Sequence, residues 1–155
     1  MQCRSVLIGL MLVSGTSAQA ATPVVVLTGK GVQIYGCVET TGTLAWSLKR
    51  PRAVLFDTAG KQVGHHFAGP TWQANDGSSV VGEAVATARS PRSDAVPWLV
   101  LRAKSNSGDG VFAHVTYIVR SLTSGGVAPS QGCDKGHLGG EAEVAYIASY
   151  TFFAQ

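Results

Sequence analysis

Apolar and polar residues alternate along most of this chain, and a period of two residues is typical of β-strands that bury one face. Residues 44–48 follow this pattern and place Trp46 on the apolar face, where we expect it to lie in a core. Residues 111–120 follow it too, with Arg120 on the polar face beside His114. No window of the sequence shows a convincing 3.6-residue period. The chain is therefore constrained to a fold made of strands.

β-Branched and aromatic residues fill nine such runs, and turn-forming residues separate them. Residues 57–60 and 75–78 contain the Asp, Asn and Gly of tight hairpin turns. The absence of helical patterns predicts an all-β fold, either a β-sandwich or a barrel-like fold of about nine short strands. The strands are predicted at residues 24–28, 31–38, 44–49, 52–57, 61–67, 79–88, 98–104, 111–119 and 144–153.

The first twenty residues have the composition of a cleaved signal peptide. Arg4 gives a positive start, residues 6–13 are an apolar run, and residues 18–20 offer small side chains for cleavage. We therefore expect export to the periplasm or the extracellular space, with residues 21–155 forming one all-β domain. The apolar run is too short for a membrane-spanning helix, and no transmembrane segment is expected after processing.

Two cysteines, Cys37 and Cys133, follow the predicted cleavage site. An even number of cysteines in an exported chain indicates a disulfide, and we expect these two to be bonded. The bridge would join an early strand to the long glycine-rich segment 122–140.

Charge and motifs exclude several classes of function. Removal of Arg4 leaves 11 Lys and Arg residues against 9 Asp and Glu residues, and the charges are scattered. The basic stripe of a nucleic-acid-binding protein is missing. The sequence contains neither a phosphate-binding loop nor a dinucleotide fingerprint, and we expect no cofactor.

The segment 64–78 concentrates the polar and aromatic residues of the chain. One interpretation is that His66, Trp72 and Asp76 line a surface pocket for a small molecule or a carbohydrate. The other, which we favour, is that Asp76 closes a hairpin and Trp72 packs in the core. Alternation groups His65 with Val63 and with Phe67, so His65 is predicted to be buried and His66 at least partly exposed.

An alternative function is a metal-dependent enzyme that uses the histidines near this segment. His66, His114 and His137 would have to converge in space, with Asp76 as a further ligand. The sequence has no His-x-His pair to place two imidazoles on one strand face. We therefore expect a ligand-binding or structural module of the envelope or the extracellular space, and we expect neither a bound metal nor an enzyme.

Several motifs, in this order, resemble an uncharacterised family of exported proteins, domain of unknown function family 3455. The resemblance covers essentially the whole chain after residue 20, and it implies a single exported domain without implying any activity. The motifs are GVQIYGC at 31–37, GHHFAGPTW at 64–72, DGS at 76–78, PWLVL at 97–101, TSGGVAP at 123–129 and YIASYTF at 146–152.

Overall fold

A computed structural model describes residues 21–154, and the predicted signal peptide lies outside them. Every strand pairs in antiparallel fashion with the next strand along the chain, and the last pairs with the first, which closes a barrel of eight strands. A single 3-10 turn, Lys135–His137, precedes the last strand. The strands are β1 (Thr22–Thr40), β2 (Thr43–Phe56), β3 (Gln62–Phe67), β4 (Thr71–Ala74), β5 (Ser79–Ala88), β6 (Trp98–Ser107), β7 (Val115–Gly125) and β8 (Glu141–Ala154).

The all-β fold is confirmed. Of the two predicted architectures, the β-sandwich and the barrel, the structure has the barrel. The structure has eight strands where about nine were predicted, because two pairs of predicted strands are continuous and one strand was missed. β1 runs unbroken through Gly29, since pairing with both β2 and β8 holds its backbone extended. Gly29 is also needed for space, because a Cβ there would lie 2.6 Å from the ring of Tyr150. The missed strand is β4, only four residues long.

β2 continues through Pro51 because one of its edges is partly unpaired. β3 pairs with β2 only from Ala53 to Phe56, so residues 49–52 have no partner strand on that side. Proline lacks an N–H and is tolerated where no ladder hydrogen bond is required. The result is a gap in the wall of the barrel between β2 and the hairpin of β3 and β4.

One end of the barrel is closed by the loop between β6 and β7. Phe112 of this loop is fully buried, and its ring lies 4.6 Å from that of Phe152. The side-chain amide of Asn106 donates to the carbonyls of Phe112 and Val115 at 2.7 and 3.1 Å, which holds the loop in place. The core therefore extends to this end.

The predicted disulfide is confirmed. The Cα atoms of Cys37 and Cys133 are 5.2 Å apart, and the bridge joins β1 to the segment before β8. Trp46 lies on the same side and is half-buried rather than in the core, which corrects the prediction. Its indole N–H donates to the carbonyl of Gln131 at 2.8 Å, so this tryptophan holds the same segment against β2.

We predict that replacing both cysteines by serine lowers the free energy of unfolding by about 4–5 kcal/mol, since the bridge closes a loop near 100 residues in the unfolded chain. Urea unfolding with and without a reducing agent measures this. Reduction should destabilise the wild-type protein by a similar amount and leave the double variant unchanged. A loss below about 1 kcal/mol would show that the bridge contributes little.

Candidate functional site

A cavity of about 270 Å³ reaches into the barrel through the gap between β2 and the hairpin of β3 and β4. Its inner wall is aromatic and consists of His66, Trp72 and Tyr150. Leu99 and Leu101 of β6 supply an apolar wall, and residues 48–51 with 69–70 form the rim. Small-molecule sites commonly have volumes of about 300–1,000 Å³. At about 270 Å³ this cavity lies just below that range, so it has room only for a small ligand.

His66 lies at the centre of the aromatic wall. Its ring stacks on Trp72 with centroids 4.3 Å apart and planes 10° from parallel, and Tyr150 meets it edge-on at 5.2 Å. Its Nδ1 lies 2.8 Å from the carbonyl oxygen of Thr71. A carbonyl only accepts, so Nδ1 carries the proton and Nε2 is left as an acceptor.

The predicted exposure of the two adjacent histidines is reversed in the structure. His66 is 3% exposed, and His65 is exposed on the outside of the barrel. The prediction assumed that the inner face carries the apolar residues, and here the inner face of β3 carries Gly64 and His66. His66 can be buried because the carbonyl of Thr71 and the face of Trp72 replace its contacts with water.

Burial lowers the pKa of His66 most, the hydrogen bond to Thr71 opposes this, and the positive charge of Arg120 lowers the pKa as well, so that the net value is about 4. The imidazole is therefore neutral at physiological pH. It can accept a hydrogen bond from a ligand through Nε2, and it adds no charge to the cavity.

Two further polar groups at the cavity have no protein partner among residues 21–154. The indole N–H of Trp72 is fully buried and makes no hydrogen bond. Gln33 is 2% exposed and lines the cavity, and no hydrogen bond to its side-chain amide is found within the described chain. Buried polar groups are nearly always paired, so such groups at a cavity call for an explanation.

Arg120 lies on the cavity wall, although simple alternation along β7 predicts it on the polar outer face. A register irregularity between Val115 and Tyr117 shifts the strand by one residue, so Ile118 and Arg120 turn inward. Its Nε and Nη2 donate to the carbonyl of Pro97 at 3.1 and 2.8 Å. No carboxylate of the described residues pairs with it.

Asp76 does not share a cavity with His66 and Trp72. It lies in the turn after β4 and lines a second cavity, near the closed end of the barrel. Its Oδ1 accepts from the backbone N–H and hydroxyl of Ser78 at 2.8 and 2.6 Å, and its Oδ2 accepts from the N–H of Val111 at 2.8 Å. These bonds, that of the Ser78 hydroxyl first, hold the pKa of Asp76 below its usual value.

One of these hydrogen bonds, that from the N–H of Val111, attaches the loop between β6 and β7 to the turn. The buried Ser78 hydroxyl also accepts from the N–H of Phe112 at 3.1 Å. Gly110 passes so close to Asp76 that a Cβ would collide with the carboxylate. Asp76 therefore acts as a clamp for the closed end.

The three histidines of the metal alternative do not come together. His66 is inside the barrel, His114 is exposed, and His137 is exposed with its Nδ1 2.8 Å from Asp134. No group of three or more His, Cys, Asp or Glu residues in the described chain could hold a metal ion. Within residues 21–154, no helix has the length and apolar composition required to cross a membrane.

We predict that His66 makes the protein less stable in acid. The unfolded chain binds a proton near the ordinary histidine pKa of 6.5, and the folded chain does so only near a pKa of about 4. Between these values the unfolded state holds more protons, so stability falls as the pH is lowered. The loss from pH 7 to about pH 4.5 is about 2–3 kcal/mol.

Urea unfolding at both pH values checks this with His66→Phe, which should lose that part of the pH dependence. His65→Gln is the matched control and should keep it, because His65 is exposed. Equal pH dependence in wild type and His66→Phe would contradict the burial of a neutral imidazole.

We predict that Asp76→Ala lowers the free energy of unfolding by about 1–3 kcal/mol, because it leaves the buried Ser78 hydroxyl and the N–H of Val111 without an acceptor. Asp109→Ala, on the same loop and exposed, should stay within about 0.5 kcal/mol of wild type. Denaturant unfolding measures both. Equal stabilities of the two variants would show that Asp76 is not a clamp.

Comparison with known proteins gives a family and no function. No curated protein and no solved structure matches the chain significantly. The sequence matches the family described as "Protein of unknown function (DUF3455)" over residues 17–154, nearly its whole length. The chain therefore belongs to the DUF3455 family.

Proposed function

We propose that the protein is an exported binding module whose barrel cavity takes one small, largely apolar molecule. The observation that carries the proposal is the cavity itself, in which an aromatic wall is buried deep in the barrel and still reached through a gap in the sheet. A purely structural module would gain stability by filling such a space, because packed interiors leave few voids.

The polar groups at the cavity support binding. Nε2 of His66 and the side-chain amide of Gln33 offer hydrogen bonds that the described protein does not use. Leaving such groups unpaired costs about 1–3 kcal/mol each, and a ligand that pairs them recovers part of that cost. His66 and Trp72 are thus the predicted site residues that we assign to the ligand, and Asp76 is assigned to the closed end.

Export and a single domain over residues 21–155 are part of the proposal. The signal-peptide composition of residues 1–20 supports export, and an all-β fold with a disulfide is consistent with an extracellular location. Disulfides form and persist in oxidising compartments.

We predict that 2-naphthamide or 2-naphthoate raises the melting temperature of the purified protein in a concentration-dependent way. A probe at 100 times its Kd stabilises the native state by about 2.7 kcal/mol. Ala84→Trp should abolish the shift, because Ala84 lines the cavity and a bulky side chain there fills it.

The matched control is Val85→Trp, because Val85 is the adjacent residue, is exposed like Ala84, and is not among the residues that line the cavity. This variant should keep the probe-induced shift. If neither probe stabilises the wild-type protein, or if both tryptophan variants respond alike, the cavity is not a binding site and the structural function stands.

A further inference from the structure

We propose that the ligand is a small aromatic or branched apolar monocarboxylate, with its carboxylate paired to Arg120 and its apolar body against Trp72 and Leu101. This inference rests on the proposed function and names the chemical class of the ligand. It follows from the charges and hydrogen-bonding groups around the cavity, which favour a single negative charge at one position.

Arg120 is held in place and left without a counter-ion among the described residues. Its Nε and Nη2 are fixed by the carbonyl of Pro97, and this neutral partner leaves the positive charge uncompensated. The guanidinium also hydrogen-bonds the hydroxyl of Tyr150, a second neutral group, and two of its five N–H donors remain for a ligand. A carboxylate is the planar acceptor that such donors fit best, with charge-assisted hydrogen bonds about twice as strong as neutral ones.

The rest of the cavity has no negative charge to compete with a ligand. None of the described residues that line it is an Asp or a Glu. Arg50 at the rim is already paired with Glu141 at 2.9 Å, whereas Lys49 at the rim is exposed and forms no ion pair with the described residues. An approaching anion therefore meets an attractive field at the entrance and a fixed cation inside.

Neutral groups limit the ligand to one charge. His66 is uncharged and offers only an acceptor at Nε2, and Gln33 offers an amide. A doubly charged phosphate would leave part of its charge uncompensated beside the apolar side chains of Leu99 and Leu101, which is costly in a partly buried site. A monocarboxylate is neutralised by Arg120 alone, and a hydroxyl on its apolar body could donate to His66.

Calorimetry at pH 7 with 2-naphthoate and 2-naphthamide tests this inference. The two probes have nearly the same shape and differ in charge. We expect the wild-type protein to bind 2-naphthoate at least about tenfold more tightly, a difference of about 1.4 kcal/mol. Arg120→Met should remove the preference and keep the affinity for 2-naphthamide. Arg102→Met is the matched control, because Arg102 is exposed and pairs with Glu83 on the outside of the barrel.

The ratio in the wild-type protein needs no variant, so the test holds even where Arg120→Met fails to fold. If 2-naphthamide binds as tightly as 2-naphthoate, the inference fails while the binding function stands. If Arg120→Met folds and keeps the preference, the carboxylate is held elsewhere and the inference fails. If neither probe binds the wild-type protein, both proposals fail.

Discussion

Neighbouring strands of this barrel differ greatly in length, and the opening into its interior follows from that difference. β1 and β2 have 19 and 14 residues, whereas β3 and β4 have only 6 and 4. A fully closed barrel has no free sheet edge. Here the short hairpin of β3 and β4 cannot pair with the whole length of β2, so part of the edge of β2 stays unpaired. The uncovered residues 49–52 of β2 become one lip of an opening, and the interior that would otherwise be packed is reached from outside.

This opening accounts for the unusual polar content of the interior. His66, Gln33 and Arg120 turn toward a space that solvent or a ligand can enter, so their burial costs less than it would in a sealed core. His66 remains the most constrained of them, because its ring is stacked on Trp72 and its Nδ1 is committed to Thr71. The aromatic stack therefore serves both the stability of β3 and β4 and the shape of the cavity.

Alternation and cysteine content were sufficient to predict most of the strands, the turns and the bond between Cys37 and Cys133. They could not predict which face of a strand is inside where that face is polar or where the register changes. At His65 and His66 the apolar face proved to be the outer one, and at Arg120 a one-residue irregularity in β7 reversed the faces. Gln33 gave a weak signal, as a lone amide in an apolar strand. The residues whose position was mispredicted are those that line the cavity, because polar side chains there are buried although their polarity favours an exposed position.

The closed end of the barrel contributes to stability, and the open end carries the candidate binding cavity. At the closed end, Asp76 and Ser78 hydrogen-bond to each other and to the loop that carries Phe112. Few of their hydrogen-bonding groups therefore remain for a ligand. At the open end, Arg120 bonds to a neutral carbonyl and Nε2 of His66 has no partner in the described chain, so hydrogen-bonding groups remain for a ligand. Polar groups that pair with each other stabilise the fold, whereas polar groups without a protein partner remain available to a ligand. This contrast, more than the size of either cavity, is the reason to place the ligand at the open end.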